Sequence, residues 1–185
     1  MAKMIGVEID SVRVSLTNQQ RIVILREKGK ERYLPIWIGL YEAEAITIAL
    51  QEIQVARPQT HDLLKMLINT LNGRLIQVEI TSLSDDVFYG TLIIELDGDL
   101  REVDCRPSDA LALAARTQAP IFVSEDVFLQ AGISPEEDIS EEAQSDDEQH
   151  LQHDNLGVFE EFLQNFDLED LDIDSDEDSS EGDDN

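Results

Sequence analysis

Charge is partitioned so unevenly that only part of the chain can build a core. All 13 Lys and Arg stand at or before Arg116, whereas the 41 Asp and Glu run through the whole 185 residues. Residues 1–133 hold 19 of those acids; residues 134–185 hold 22 and no base, within a formal net charge of −28. A segment of that composition repels itself and has too little apolar area to fold alone. The expectation is one domain over 1–133, long enough for a sizeable core, and a disordered acidic tail over 134–185.

Inside the front part, hydrophobic periodicity predicts an α+β domain with mixed, largely antiparallel sheets and three main helices. Ile5, Val7 and Ile9 alternate with Gly6, Glu8 and Asp10, the period of a strand. Arg21–Glu27 and Glu31–Ile38 read as two strands around the Lys28-Gly29-Lys30 turn. Pro35 has no N–H to give a ladder, so its strand belongs at an edge or is interrupted there. Three further strands follow at Leu75–Leu83, Val87–Leu96 and Arg101–Arg106, the last two joined by Asp97-Gly98, a strong hairpin signal.

The stretch Asp104–Val123 organises the rest. Pro107 suits the first position of a helix, and Ser108 and Asp109 supply an acceptor and a negative charge to its first turn. Ala110–Ala115 is apolar all round, which predicts a buried helix. Thr117-Gln118-Ala119-Pro120 stops it, Ile121-Phe122-Val123 is a short buried strand, and Ser124 caps a last short helix ending at Ala131-Gly132.

Two earlier helices carry polar first turns. Over Tyr41–Ile53, residues Ala43, Ala45, Ile46, Ala49, Leu50 and Ile53 share a face at 100° per residue, with Glu42 in its middle and Glu44 nearly opposite. Glu42 is either a site residue or an acid that complements the helix dipole from solvent. Over Thr60–Leu71, Thr60 reads as the N-cap, and Leu63, Leu64, Leu67, Ile68 and Leu71 as the inward face. His61 and Asp62 are either a base or ligand pair or a capping pair. Arg57 and Arg106 each precede a proline and then a polar helix start, which makes either one composite site or two local networks.

Four separated motifs in order, Leu34–Glu44 (LPIWIGLYEAE), Arg57–Leu63 (RPQTHDL), Cys105–Arg116 (CRPSDALALAAR) and Ala131-Gly132, resemble the bifunctional nuclease family over about residues 4–133. The resemblance implies cleavage of DNA or RNA. Phosphodiester hydrolysis needs an activated water and charge stabilisation, usually from carboxylates holding Mg²⁺ or Mn²⁺. The candidates are Glu42, His61, Asp62 and Asp109 for catalysis, with Glu42, Asp62 and Asp109 as metal ligands and Asp104 as a further carboxylate. Arg57, Arg106 and Ser108 are the candidates for holding substrate, the two arginines as planar forks on phosphate.

Against this stands the absence of a basic stripe, the usual footprint of a nucleic-acid binder. No phosphate loop, zinc spacing or nucleophile elbow is present either. The alternative is a non-catalytic interaction or regulatory module. In that reading Phe159, Phe162, Leu163 and Phe166, at i, i+3, i+4 and i+7, form a short amphipathic helix near 156–171 for a protein partner; a homo-oligomer is left open too. The tail resembles the phenylalanine-rich end of one family branch, and the excision-repair type of helical hairpin is missing. Cys105 alone excludes an internal disulfide framework and reads as a buried, inert thiol. No apolar run of transmembrane length and no signal-peptide core is present, so no membrane association and a cytoplasmic location are expected.

Overall fold

The computed structural model describes residues 3–15 and 20–134. The expected acidic tail and the amphipathic segment near 156–171 lie outside them. The domain is α+β, as the periodicity predicts: seven strands in one mixed sheet and four helices.

The first half is a three-stranded antiparallel meander, β1 (Met4–Val14), β2 (Arg21–Glu27) and β3 (Tyr33–Ile38). A bulge between Ile9 and Ser11 bends β1. It leads into α1 (Leu40–Leu50) and α2 (Thr60–Thr70). The second half repeats the plan with β4 (Arg74–Ser84), β5 (Val87–Leu96) and β6 (Asp99–Cys105), then α3 (Pro107–Thr117). The chain closes with β7 (Ile121–Ser124) and α4 (Glu125–Ala131). Strand order is β3-β2-β1-β7-β4-β5-β6, so β7 joins the two meanders, antiparallel to β1 and parallel to β4. Pro35 sits on edge strand β3, opposite Ile24, where its missing N–H costs no ladder bond.

The helix α3 is the centre of the core. Ala110, Leu111, Ala112, Leu113 and Ala114 are all buried, packed in one cluster with Val7, Leu25, Leu34, Ile46, Val78, Ile80 and Val123. Leu111→Ala would cost about 3 kcal/mol at such a site. α3 ends where Gln118 takes a left-handed conformation, φ 56°. Buried Glu27 takes Lys30 and Arg32 at 2.9 Å, and Arg32 lies 4.4 Å over the Phe128 ring, tying the β2–β3 turn to α4.

Three local expectations are corrected. α1 stops at Leu50 rather than Ile53, and Glu52 turns the chain with φ 52°; Leu50 and Ile53 are about half exposed, whereas Ala43 and Ile46 of the same set are buried. The N-cap of α2 is Gln59, not Thr60. Most of the stripe read as the inward face of α2 points outward instead: Leu63, Leu64, Leu67 and Leu71 are exposed, and Ile68 alone of that set is half-buried. Among the described residues, no helix is long and apolar enough to cross a membrane.

Candidate active site at three helix starts

Each of the three main helices carries an acid at its third position: Glu42 after the Gly39 cap, Asp62 after Gln59, Asp109 after Arg106. An acid there meets free N–H groups and the positive end of the helix dipole, which is its local reason for being present. Tertiary packing then brings the three starts together. They enclose a cleft of about 540 Å³ lined by Tyr41, Glu42, Glu44, Ala45, Pro58, Gln59, Thr60, His61, Arg106 and Asp109.

At its heart one guanidinium holds two carboxylates. Arg106 Nε and Nη2 donate to Asp109 Oδ2 and Oδ1 at 2.8 and 3.1 Å, and Nη1 donates to Glu42 Oε1 at 2.8 Å. His61, 8% exposed, completes the chain with Nε2 3.1 Å from Asp109 Oδ1. Burial works to raise the Asp109 carboxyl, but the bonds from Arg106 and His61 outweigh it and hold the group below the usual carboxylate range. Asp109 and then Glu42 push the Arg106 guanidinium upward, so it stays charged. Gly39 makes room: a Cβ there would overlap the Glu42 carboxylate.

Asp62 belongs to a second network on the other side of the α2 start. It accepts the Gln59 N–H at 2.9 Å, the acidic half of a capping box, and Arg116 Nε at 2.8 Å. Desolvation raises this carboxyl too, and Gln59 and Arg116 overcome it, leaving it lowered. Arg116 also donates from Nη1 to the carbonyls of Ala45 and Ala112 at 2.8 and 3.0 Å. One buried guanidinium thus pins α1, α2 and the last turn of α3 together.

The structure therefore brings Glu42, His61, Arg106 and Asp109 into one cleft and sets Asp62 behind it. Ser108 is buried, Asp104 is exposed on β6 and Arg57 is exposed in the connector before Pro58; none of the three lines the cleft. Cys105 is half-buried rather than buried, and its thiol is pushed up to about 11 by desolvation, Asp109 and Asp104. Tyr41, Glu44 and Gln59 also line the cleft, and none of them is a site candidate on the sequence alone. The Gln-x-x-Asp spacing at 59–62 is a capping-box signal that could have found Gln59.

The donor set does not fit Mg²⁺ or Mn²⁺ as these side chains stand. Arg106 already lies between Glu42 and Asp109, and Asp62 is turned to Arg116. Among the described residues no three His, Cys, Asp or Glu stand together as an ion site.

The bifunctional nuclease domain matches residues 23–136. An uncharacterized protein of Mycobacterium tuberculosis is 39% identical over 157 residues, covering 85% of this chain and 92% of that one. Bifunctional nuclease 2 of Oryza sativa subsp. japonica is 29% identical over 118 residues, 62% of this chain and 36% of its own. Bifunctional nuclease 2 of Arabidopsis thaliana is 27% identical over 106 residues, and the match spans only 32% of its length. The chain belongs to the bifunctional nuclease domain family.

Proposed function

We propose that this domain hydrolyses phosphodiester bonds of DNA or RNA in the cleft formed by the starts of α1, α2 and α3. The observation that carries the reading is the His61–Asp109 contact at 3.1 Å beside Arg106. With Nε2–H given to the carboxylate, Nδ1 is the ring's remaining acceptor. A water that loses its proton to Nδ1 attacks phosphorus. The bond to the sugar oxygen breaks, and the proton returns from the imidazolium to that oxygen or to solvent. Asp109 orients the ring and stabilises its charged form, as a carboxylate does behind any catalytic histidine. Arg106 within the cleft meets the phosphoryl oxygens, with Arg57, next in sequence to the lining Pro58, as the second candidate.

The cleft volume suits one nucleotide unit, and the lining holds Glu42, Glu44 and Asp109 against one arginine. Those features favour a single strand fed in at one point over a duplex gripped along its backbone. The same excess of acid favours the second reading, a non-catalytic interaction module. Cleavage of single-stranded DNA and RNA oligonucleotides by wild-type chain and His61→Gln separates the two. The expected loss is about a hundredfold or more, with an unchanged thermal melt. Full activity in His61→Gln would remove the dyad, and an inert wild type would leave the interaction module.

A further inference from the structure

The helix α2 is built inside out. Its polar side packs inward: His61 is buried, Asp62 and Lys65 are half-buried, and Lys65 Nζ donates to the Arg116 carbonyl at 2.7 Å. Its apolar side faces out: Leu63 is 60% exposed, Met66 53%, Leu67 51% and Leu71 56%. A core-facing helix shows the reverse arrangement, and monomeric domains rarely leave a contiguous apolar patch of more than a few hundred Å² uncovered.

We propose that this face is the contact between two copies of the chain. Two observations select a second copy. The outward side of α2 carries no ionisable group, because His61, Asp62 and Lys65 all lie on the inner side. Two chains of net charge −28 can therefore meet there without setting acid against acid. The pattern is also its own complement. Leu63, Leu67 and Leu71 form an i, i+4 row that is symmetric about Leu67. Two such helices crossing antiparallel at Leu67 set Leu63 of each copy against Leu71 of the other, as an isologous two-fold contact requires. The patch begins one turn from Thr60 and His61, which line the cleft.

Sedimentation of the full chain tests this, with Leu67→Asp as the disrupting change and Leu129→Asp, an isolated exposed leucine on α4, as the control. The expected result is a wild-type dimer, a dimer for Leu129→Asp and a monomer for Leu67→Asp. Circular dichroism checks that Leu67→Asp folds; should it not, Leu67→Cys replaces it, and mild oxidation should give a covalent dimer through the two-fold axis. A monomeric wild type, a dimer that survives Leu67→Asp, or a Leu67→Cys chain that fails to cross-link would each overturn the proposal.

Discussion

Glu42 and Asp109, third residues of different helices, grip the same guanidinium, each at 2.8 Å from a nitrogen of Arg106. The arginine is the N-cap of α3 and is largely exposed, so it fills the place between two carboxylates that an external cation would otherwise take. Arg106→Ala frees both acids beside His61. The expected outcome is measurable Mn²⁺ binding by calorimetry in the variant, beyond any seen in the wild type, and weaker cleavage. A melting temperature within about 3 °C of wild type is expected, because an exposed pair contributes little to stability. Equal Mn²⁺ binding by the two proteins would show that Arg106 does not hold the place of a cation.

Arg116 is the opposite case. Its side chain is 5% exposed and is bonded to Asp62, Ala45 and Ala112. Arg116→Met strips a carboxylate and two carbonyls of their partner. A loss of about 2 kcal/mol is expected, or roughly 6–10 °C in melting temperature. A melt unchanged from wild type would mean that the three helices are held by apolar packing alone.

The lowered carboxyls of Asp62 and Asp109 give the stability a sign with pH. Their folded values lie below the unfolded one of about 4, so below that point the unfolded chain binds more protons. Their contribution is complete above about pH 5 and is lost as pH falls through the folded values. Thermal melts from neutral to acid should show this decline, and Asp62→Asn should show a shallower one. Identical slopes would mean that Asp62 is not one of the groups responsible.

Much of this was readable from residues. Alternation fixed the strands, and the all-apolar run Ala110–Ala115 announced the central helix, because both signals are local. The position of β7 between β1 and β4 is not readable there, since it depends on one pairing across more than 100 residues, with β1, and on a second, parallel one with β4. Nor is the direction of α2. A stripe at helical spacing gives one apolar side and does not say which side meets the fold; here the ion pair of Asp62 with Arg116 and the Lys65 bond to α3 decide it. Glu42 and Glu44 fall on nearly opposite sides of α1 by helical spacing, yet both line the cleft, because the opening spans the whole first turn of α1 rather than one face.

Cys105 offers a chemical check. A thiol held at about 11 has on the order of a hundredfold less thiolate at neutral pH than an ordinary cysteine near 8.5. Native chain should react with a disulfide reagent far more slowly than chain in denaturant, and the rate should keep rising past pH 9. A rate that levels off near pH 8.5 would contradict the desolvation of this group.

Two glycines separate a role in the cleft from a role in the fold. At Gly39 the backbone is ordinary, φ −72° and ψ 164°, so alanine carries no conformational strain there. Its Cβ would overlap only the mobile end of the Glu42 side chain, which can swing aside at the cost of its bond to Arg106. At Gly132 the added carbon would instead strike the Phe128 carbonyl oxygen and ring, and the backbone of α4 cannot give way so cheaply. Gly39→Ala should therefore melt within about 1 kcal/mol of wild type, helped slightly by a stiffer unfolded chain. Gly132→Ala should lose about 2 kcal/mol or more. Cleavage should divide the other way: reduced in Gly39→Ala, where Glu42 is displaced, and retained by the folded fraction of Gly132→Ala. Wild-type cleavage in Gly39→Ala would take Glu42 out of the working site and leave His61, Asp109 and Arg106 to act without it.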